Sequence, residues 1–145
     1  MEDRYLYKAK RTDNREWVQG YLFDDGFENA RVFIGGLVIE KYTGAACDDW
    51  TISGSCFCEV DKSTICQCTG LKDKNGNLIW ENDIVNCLTE ECRGCIGWNE
   101  SEAGFYFNVL LEDGRFEEEY IYDYQDGIEV IGSIFDNPEL LESEE

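Results

Sequence analysis

The apolar positions of this chain fall in short runs that read mostly as strands. Residues 5–8 and 17–23 predict strands flanking an Asp13-Asn14 turn, and Asp25-Gly26 marks another turn. Residues 31–42 are the most apolar stretch. Val32, Phe33, Ile34, Leu37, Val38 and Ile39 surround the Gly35-Gly36 pair, which predicts a strand with a bend or bulge at the glycines. Residues 43–55 read as loop. Residues 104–111 predict a strand that turns back at Asp113-Gly114. Residues 116–124 fit two periods. Phe116, Tyr120 and Tyr124 share a helical face, whereas Tyr120, Tyr122 and Tyr124 share a strand face, and strand is the reading taken. Residues 128–135 predict the last strand, and residues 140–145 an acidic tail that frays.

The sharpest local signal is Lys74-Asn75-Gly76-Asn77. Asn-Gly between apolar runs predicts a type I′ hairpin turn, because both central residues tolerate positive φ. Leu71 leads in, and Leu78, Ile79 and Trp80 lead out. Glu81-Asn82-Asp83 interrupts the apolar run before Ile84 and Val85 restart it. The pattern is strand, turn, strand, sharp turn, strand, as in part of a small barrel. Asp83 is expected to cap backbone amides in the second turn.

Thr69, Gly70, Leu71, Asp73, Asn75, Gly76, Trp80, Glu81, Asp83, Ile84 and Val85, in that order, resemble the core signature of the YopX-like family. These are small proteins encoded by temperate phages and prophages. Two further stretches are similar. Residues 10–14 lead into Glu16-Trp17-Val18-Gln19-Gly20-Tyr21, and residues 128–135 lead into Asn137-Pro138-Glu139-Leu140-Leu141. The chain departs from the family at Asn82, where glycine is usual, and at Cys68, where an aromatic often stands. Asn tolerates the left-handed turn, so the geometry survives. The resemblance implies a mainly β fold: an SH3-like barrel element over 67–136, a smaller β-rich part over 1–66, and an acidic tail over 137–145. Gly70, Asn75, Gly76, Asn82 and Asp83 would be its structural turn residues. It also implies self-association, and it carries over no catalytic residue.

A length of 145 residues with 8 Phe, 8 Tyr and 4 Trp supports one domain, or two small intimate ones, with a core that needs no metal or disulfide. The N-terminal segment is charged, unlike a signal peptide, and no apolar run approaches the roughly 20 residues that span a bilayer. The expectation is a cytoplasmic protein that does not engage membranes. There, 8 cysteines are free thiols or metal ligands rather than disulfides. Cys56 and Cys58, with Cys92-x-x-Cys95, are the candidates for a tetrahedral zinc site of four thiolates. Cys66-x-Cys68 has the same spacing as the first pair. The competing reading is buried free thiols, and it is preferred, with no cofactor expected.

The formal net charge is −20, from 32 acidic and 12 basic residues. Such a surface repels phosphate backbones, so direct nucleic-acid binding is disfavoured. The densest acidic cluster is Glu112, Asp113, Glu117, Glu118, Glu119, Asp123 and Asp126, with Arg115 the only opposing charge, and Glu117, Glu118, Glu119 and Asp123 are its candidate contact acids. A solvated face is the plain reading, and a DNA mimic that inhibits a host nucleic-acid enzyme is the alternative. With no His, the Ser-His-Asp and Cys-His arrangements are excluded, and neither a P-loop nor a Rossmann fingerprint is present. A carboxylate metal enzyme is a third reading; Glu81 and Asp83, which bracket the second turn, are the only acids with a positional argument, and Asp83 is read there as a turn cap. The sequence favours a protein-interaction or assembly module, acting on a protein partner or as a homo-oligomer. Trp80, Trp98, Tyr106 and Phe107 are the candidate contact aromatics, with core packing as their competing role.

Overall fold

The computed structural model describes the backbone of residues 3–42 and 49–142, with side chains there except at 37–42, 49–56, 125 and 126. The chain divides into two compact units. One is Leu6–Ile65; the other joins Met1–Tyr5 to Cys66–Glu145. A 3-10 turn, η1 (Asp3–Tyr5), precedes the first strand.

The Leu6–Ile65 unit is an antiparallel meander of β1 (Tyr7–Lys10), β2 (Trp17–Asp24), β3 (Val32–Tyr42) and β4 (Asp49–Val60), with spatial order β4-β3-β2-β1. A 3-10 turn, η2 (Lys62–Thr64), follows. Ala9, Val32, Ile34 and Val60 form its buried cluster, and Val18, paired with Ala9, packs against it. The expected irregularity at the glycines is a register shift between Ile34 and Gly36 in the β3–β4 ladder. A methyl at Gly35 would come within 2.6 Å of the Phe57 ring, so this position needs glycine for close approach.

The loop expected over 43–55 is corrected in part. Residues 43–48 lie outside the described residues, but from Asp49 onward the chain is strand β4. Ser53-Gly54-Ser55 lacks apolar alternation, so the strand rests on backbone pairing. Leu37↔Gly54 and Val38↔Ser53 are in register with β3. Tertiary pairing overrides local propensity there.

The second unit contains β5 (Cys66–Lys72), β6 (Leu78–Trp80), β7 (Asp83–Cys87), β8 (Cys92–Asn99), β9 (Gly104–Leu110), β10 (Phe116–Tyr120), the 3-10 turn η3 (Ile121–Gly127), β11 (Ile128–Ser133) and the 3-10 turn η4 (Pro138–Leu141). β5 and β6 form a hairpin. The remaining five strands make an antiparallel sheet of order β10-β9-β8-β7-β11. β10 and β11 are its edges, and among the described residues no pairing closes them into a barrel. Ile79, Val85, Ile96, Phe107 and Ile128, all fully or almost fully buried, centre the core.

The ambiguous 116–124 segment divides. It is strand to Tyr120, then turns into η3, which buries Ile121 in the core. Among the described residues the chain is therefore mainly β, with short 3-10 turns beside the strands. No helix among the described residues is long and apolar enough to cross a membrane.

Candidate functional site

The signature segment builds the joint between the β5–β6 hairpin and the larger sheet. The Asp73 N–H donates to the Asn77 carbonyl at 2.8 Å, and the Gly76 N–H donates to the Asp73 carbonyl at 3.0 Å. Gly76 has φ +83°, while Asn75 is not in the left-handed region. The loop is thus a three-residue hairpin, a type I turn followed by a left-handed glycine, and not the type I′ turn expected. The cause is Asp73. Its Oδ1 accepts from the N–H groups of Asn75 and Asn77, both at 2.9 Å, which favours a type I turn with Asp in first place.

Asp73 also reaches beyond its own turn. Its Oδ2 accepts from the Val130 N–H at 3.1 Å, and the Lys74 N–H donates to the Ile128 carbonyl at 3.0 Å. The loop is thereby stapled to β11. Burial pushes the Asp73 carboxyl up, but the N–H groups of Val130, Asn77 and Asn75 outweigh it and hold the carboxyl below its ordinary value.

The second turn is equally committed. Asn82 sits at φ +68°; its N–H donates to the Ile96 carbonyl at 2.8 Å, and its carbonyl accepts from the Ile134 N–H at 3.0 Å. Asp83, buried, accepts the Trp80 N–H at 2.8 Å. Thr69 Oγ1 donates to the Ile79 carbonyl at 2.7 Å and accepts from the Leu71 N–H at 3.1 Å. Gly70 has φ +81°, and a methyl there would meet Arg4 Cβ at 3.2 Å. Among the described residues, no buried side-chain nitrogen or oxygen lacks a hydrogen-bond partner.

The four candidate contact aromatics separate. Trp80, Tyr106 and Phe107 are buried, and Phe107 is fully enclosed with Tyr124 edge-on at 5.1 Å. Strand alternation turns Phe107 toward the core. Only Trp98 keeps a large exposed surface, 45%, with its indole edge-on to Phe105 at 5.0 Å. Tyr106 lies against Tyr120, and burial with that hydroxyl pushes its phenol up to about 12.

The acidic candidates lie on β10 and η3. Glu117, Glu118 and Glu119 are consecutive on an edge strand, so Glu118 points to the face opposite the other two. Glu118 accepts from Asn99 Nδ2 at 2.6 Å. Asp123 is exposed on η3. Charges on an edge strand deter pairing with another chain's strand.

Among the described residues, no three or more thiols or carboxylates come together as metal ligands would. Cys92 and Cys95 lie three apart on β8, so they face opposite sides of the sheet. Cys92 is opposite Cys87, and burial together with Cys87 pushes its thiol up to about 11. Burial also raises Cys95. Cys58 is half-buried in the other unit, and the Cys56 side chain lies outside the described residues. Cys66 and Cys68 are buried; Cys66 Sγ receives Asn82 Nδ2 at 3.7 Å.

One concavity went unnoticed in the sequence. An open groove of about 810 Å³ runs between the β7–β8 turn, the end of β9 and η4. Leu88, Leu110, Leu111 and Leu140 supply apolar surface, and Glu91, Glu112 and Glu142 add carboxylates. Arg93 braces one wall, donating from Nε to Asn86 Oδ1 at 2.9 Å and from Nη1 to the Leu140 carbonyl at 3.2 Å. The only local signal was Leu110-Leu111 beside acids; the rest is assembled from distant segments.

Comparison with known proteins bears on the whole chain. The crystal structure of protein EF1440 from Enterococcus faecalis superimposes with a TM-score of 0.54 at 24% identity, covering 94% of this chain and 96% of that one. At that identity the likeness speaks for the fold. No curated protein matches the sequence. The family model described as YopX protein matches residues 7–142, which include the whole Thr69–Val85 joint and the hydrogen-bonded turns within it. On that match the chain belongs to the YopX protein family.

Proposed function

We propose that this protein is a protein-interaction or assembly module of phage or prophage origin that works by binding rather than by catalysis. One observation carries the reading. The polar residues of the signature, Thr69, Asp73, Asn82 and Asp83, are engaged in internal hydrogen bonds that hold the hairpin, β8 and β11 together. They act as framework and offer no poised nucleophile or general acid. An SH3-like barrel element is the architecture this reading adopts. Its support is the four-strand meander β7 to β10, the 3-10 turn η3 and the return of β11 to pair with β7. Such a scaffold presents loops and strand ends for contact rather than a buried catalytic centre. The phage origin rests on the family resemblance, and the cytoplasm of the host cell is the compartment it implies.

The test is capture of partners from host lysate by the tagged protein at low and at high salt, with light scattering on the purified protein. A partner held at both salts, or a defined homo-oligomer, supports the module. A strictly monomeric protein that captures nothing overturns it. Capture of a nucleic-acid enzyme only at low salt would transfer the weight to the acidic mimic, whose contact is mainly electrostatic.

A further inference from the structure

The groove of about 810 Å³ combines two properties that ordinary surface does not. Its lining mixes polar and apolar surface, and the apolar part comes from Leu88, left 49% exposed just after β7, and from Leu110, Leu111 and Leu140, half-buried. A cluster of leucines in a concavity is costly to leave in water, and such patches mark contact sites. Its rim carries Glu91, Glu112 and Glu142, all exposed. Among the described residues none of these carboxylates has an ion pair or a side-chain hydrogen bond. The single guanidinium in the lining, Arg93, is directed to Asn86 and the Leu140 carbonyl. It fixes the wall and neutralises only part of the rim. The charge that complements the groove is positive, and the chemistry that complements its leucines is aliphatic.

We propose that this groove is a docking site for a peptide segment of a partner protein that carries leucine-sized apolar side chains flanked by two or more Lys or Arg residues. The proposal rests on the interaction-module reading and names the partner's chemistry. Apolar contact with the leucines supplies affinity, and the carboxylates select against acidic segments. Glu91 sits at φ +52° in the turn between β7 and β8.

The probe is a fluorescein-labelled, end-capped peptide of alternating Leu and Lys, read by fluorescence anisotropy against the full chain. A peptide with Glu in place of each Lys is the control. Because the protein is strongly acidic, variants are matched for charge. Glu91→Lys with Glu112→Lys is compared with Glu28→Lys plus Glu100→Lys, whose exposed acids do not line the groove. The Leu/Lys peptide is expected to bind and the Leu/Glu peptide to fail. The groove pair should weaken binding about tenfold or more and the matched pair less than about threefold, and Leu88→Ser should weaken it about fivefold. Amide spectra of every variant establish that it folds. Equal loss in the two charge pairs, no effect of Leu88→Ser, or no binding of the Leu/Lys peptide would each overturn the site. If the groove variants still capture the partners that the unaltered chain captures from lysate, the module survives and this groove is not its contact. If the unaltered chain captures none and stays monomeric, the module reading itself fails.

Discussion

Replacing Asp73 by Ala removes one carboxylate and three hydrogen bonds, at 2.9, 2.9 and 3.1 Å. A hydrogen bond to a charged group contributes about 1.5–3 kcal/mol net. Asn75 and Asn77 lie on an exposed turn, where water can replace the lost acceptor, so their share is at or below the low end. The Val130 N–H lies at the covered end of the staple and loses more. Allowing for non-additivity, Asp73→Ala should cost about 4 kcal/mol. Asp73→Asn keeps an oxygen for the turn but sets an NH2 group against the Val130 N–H, and should cost about 2 kcal/mol.

Urea unfolding, followed by tryptophan fluorescence and circular dichroism, measures both. With a slope near 2 kcal/mol per M, the Ala variant should lose about 2 M in midpoint. The carboxyl is held below its ordinary value in the fold. Its contribution is therefore complete above the unfolded carboxylate range, about pH 4, and is lost as pH falls through the folded value. Asp73→Asn lacks that component, so its gap from the unaltered chain should narrow in acid. A cost below about 0.5 kcal/mol for Asp73→Ala, or a gap that widens in acid, would refute the staple.

Other consequences are narrower. Asn82→Ala should cost about 1–2 kcal/mol and Asn82→Gly close to nothing by the same assay, since the position needs φ +68°. Phe107→Ala should cost about 3–5 kcal/mol and Trp98→Ala less than about 1, because the first side chain is fully buried and the second is 45% exposed. A methyl at Gly94 runs into the Asn108 carbonyl on the paired strand, so Gly94→Ala should cost about 3 kcal/mol and lower soluble yield. Cys92, with its thiol at about 11, should alkylate slowly with iodoacetamide at neutral pH and faster as pH rises toward that value; rapid neutral labelling by mass spectrometry would contradict its environment.

What the sequence made legible was local. Gly76 and Asn82 carry their left-handed backbone in their residue types, and the Gly35-Gly36 bulge stands among apolar neighbours. Interactions distant in sequence were hidden. Asp73 bonds Val130, 57 residues away, and that bond makes the turn a staple rather than a hairpin tip. β4 was obscured because Ser53-Gly54-Ser55 has no period and takes its register from β3. Cys92-x-x-Cys95 looked like a metal knuckle until β8 set the two thiols on opposite faces. Aromatic content marked Trp80, Tyr106 and Phe107 for contact, yet Phe107 faces the core and Tyr106, on the opposite face of β9, is covered by Tyr120, and composition does not reveal direction. The groove draws on the β7–β8 turn, the β9 end and η4, so no single window of sequence contains it.

The most direct measurement is a backbone-amide NMR titration of the full chain with the Leu/Lys peptide. Shifts should concentrate at Leu88, Glu91, Arg93, Leu111 and Glu112, and the Thr69–Val85 joint should stay still. Shifts centred instead on Asp73, Asn82 and Asp83 would contradict the division between a hydrogen-bonded framework and a separate contact groove.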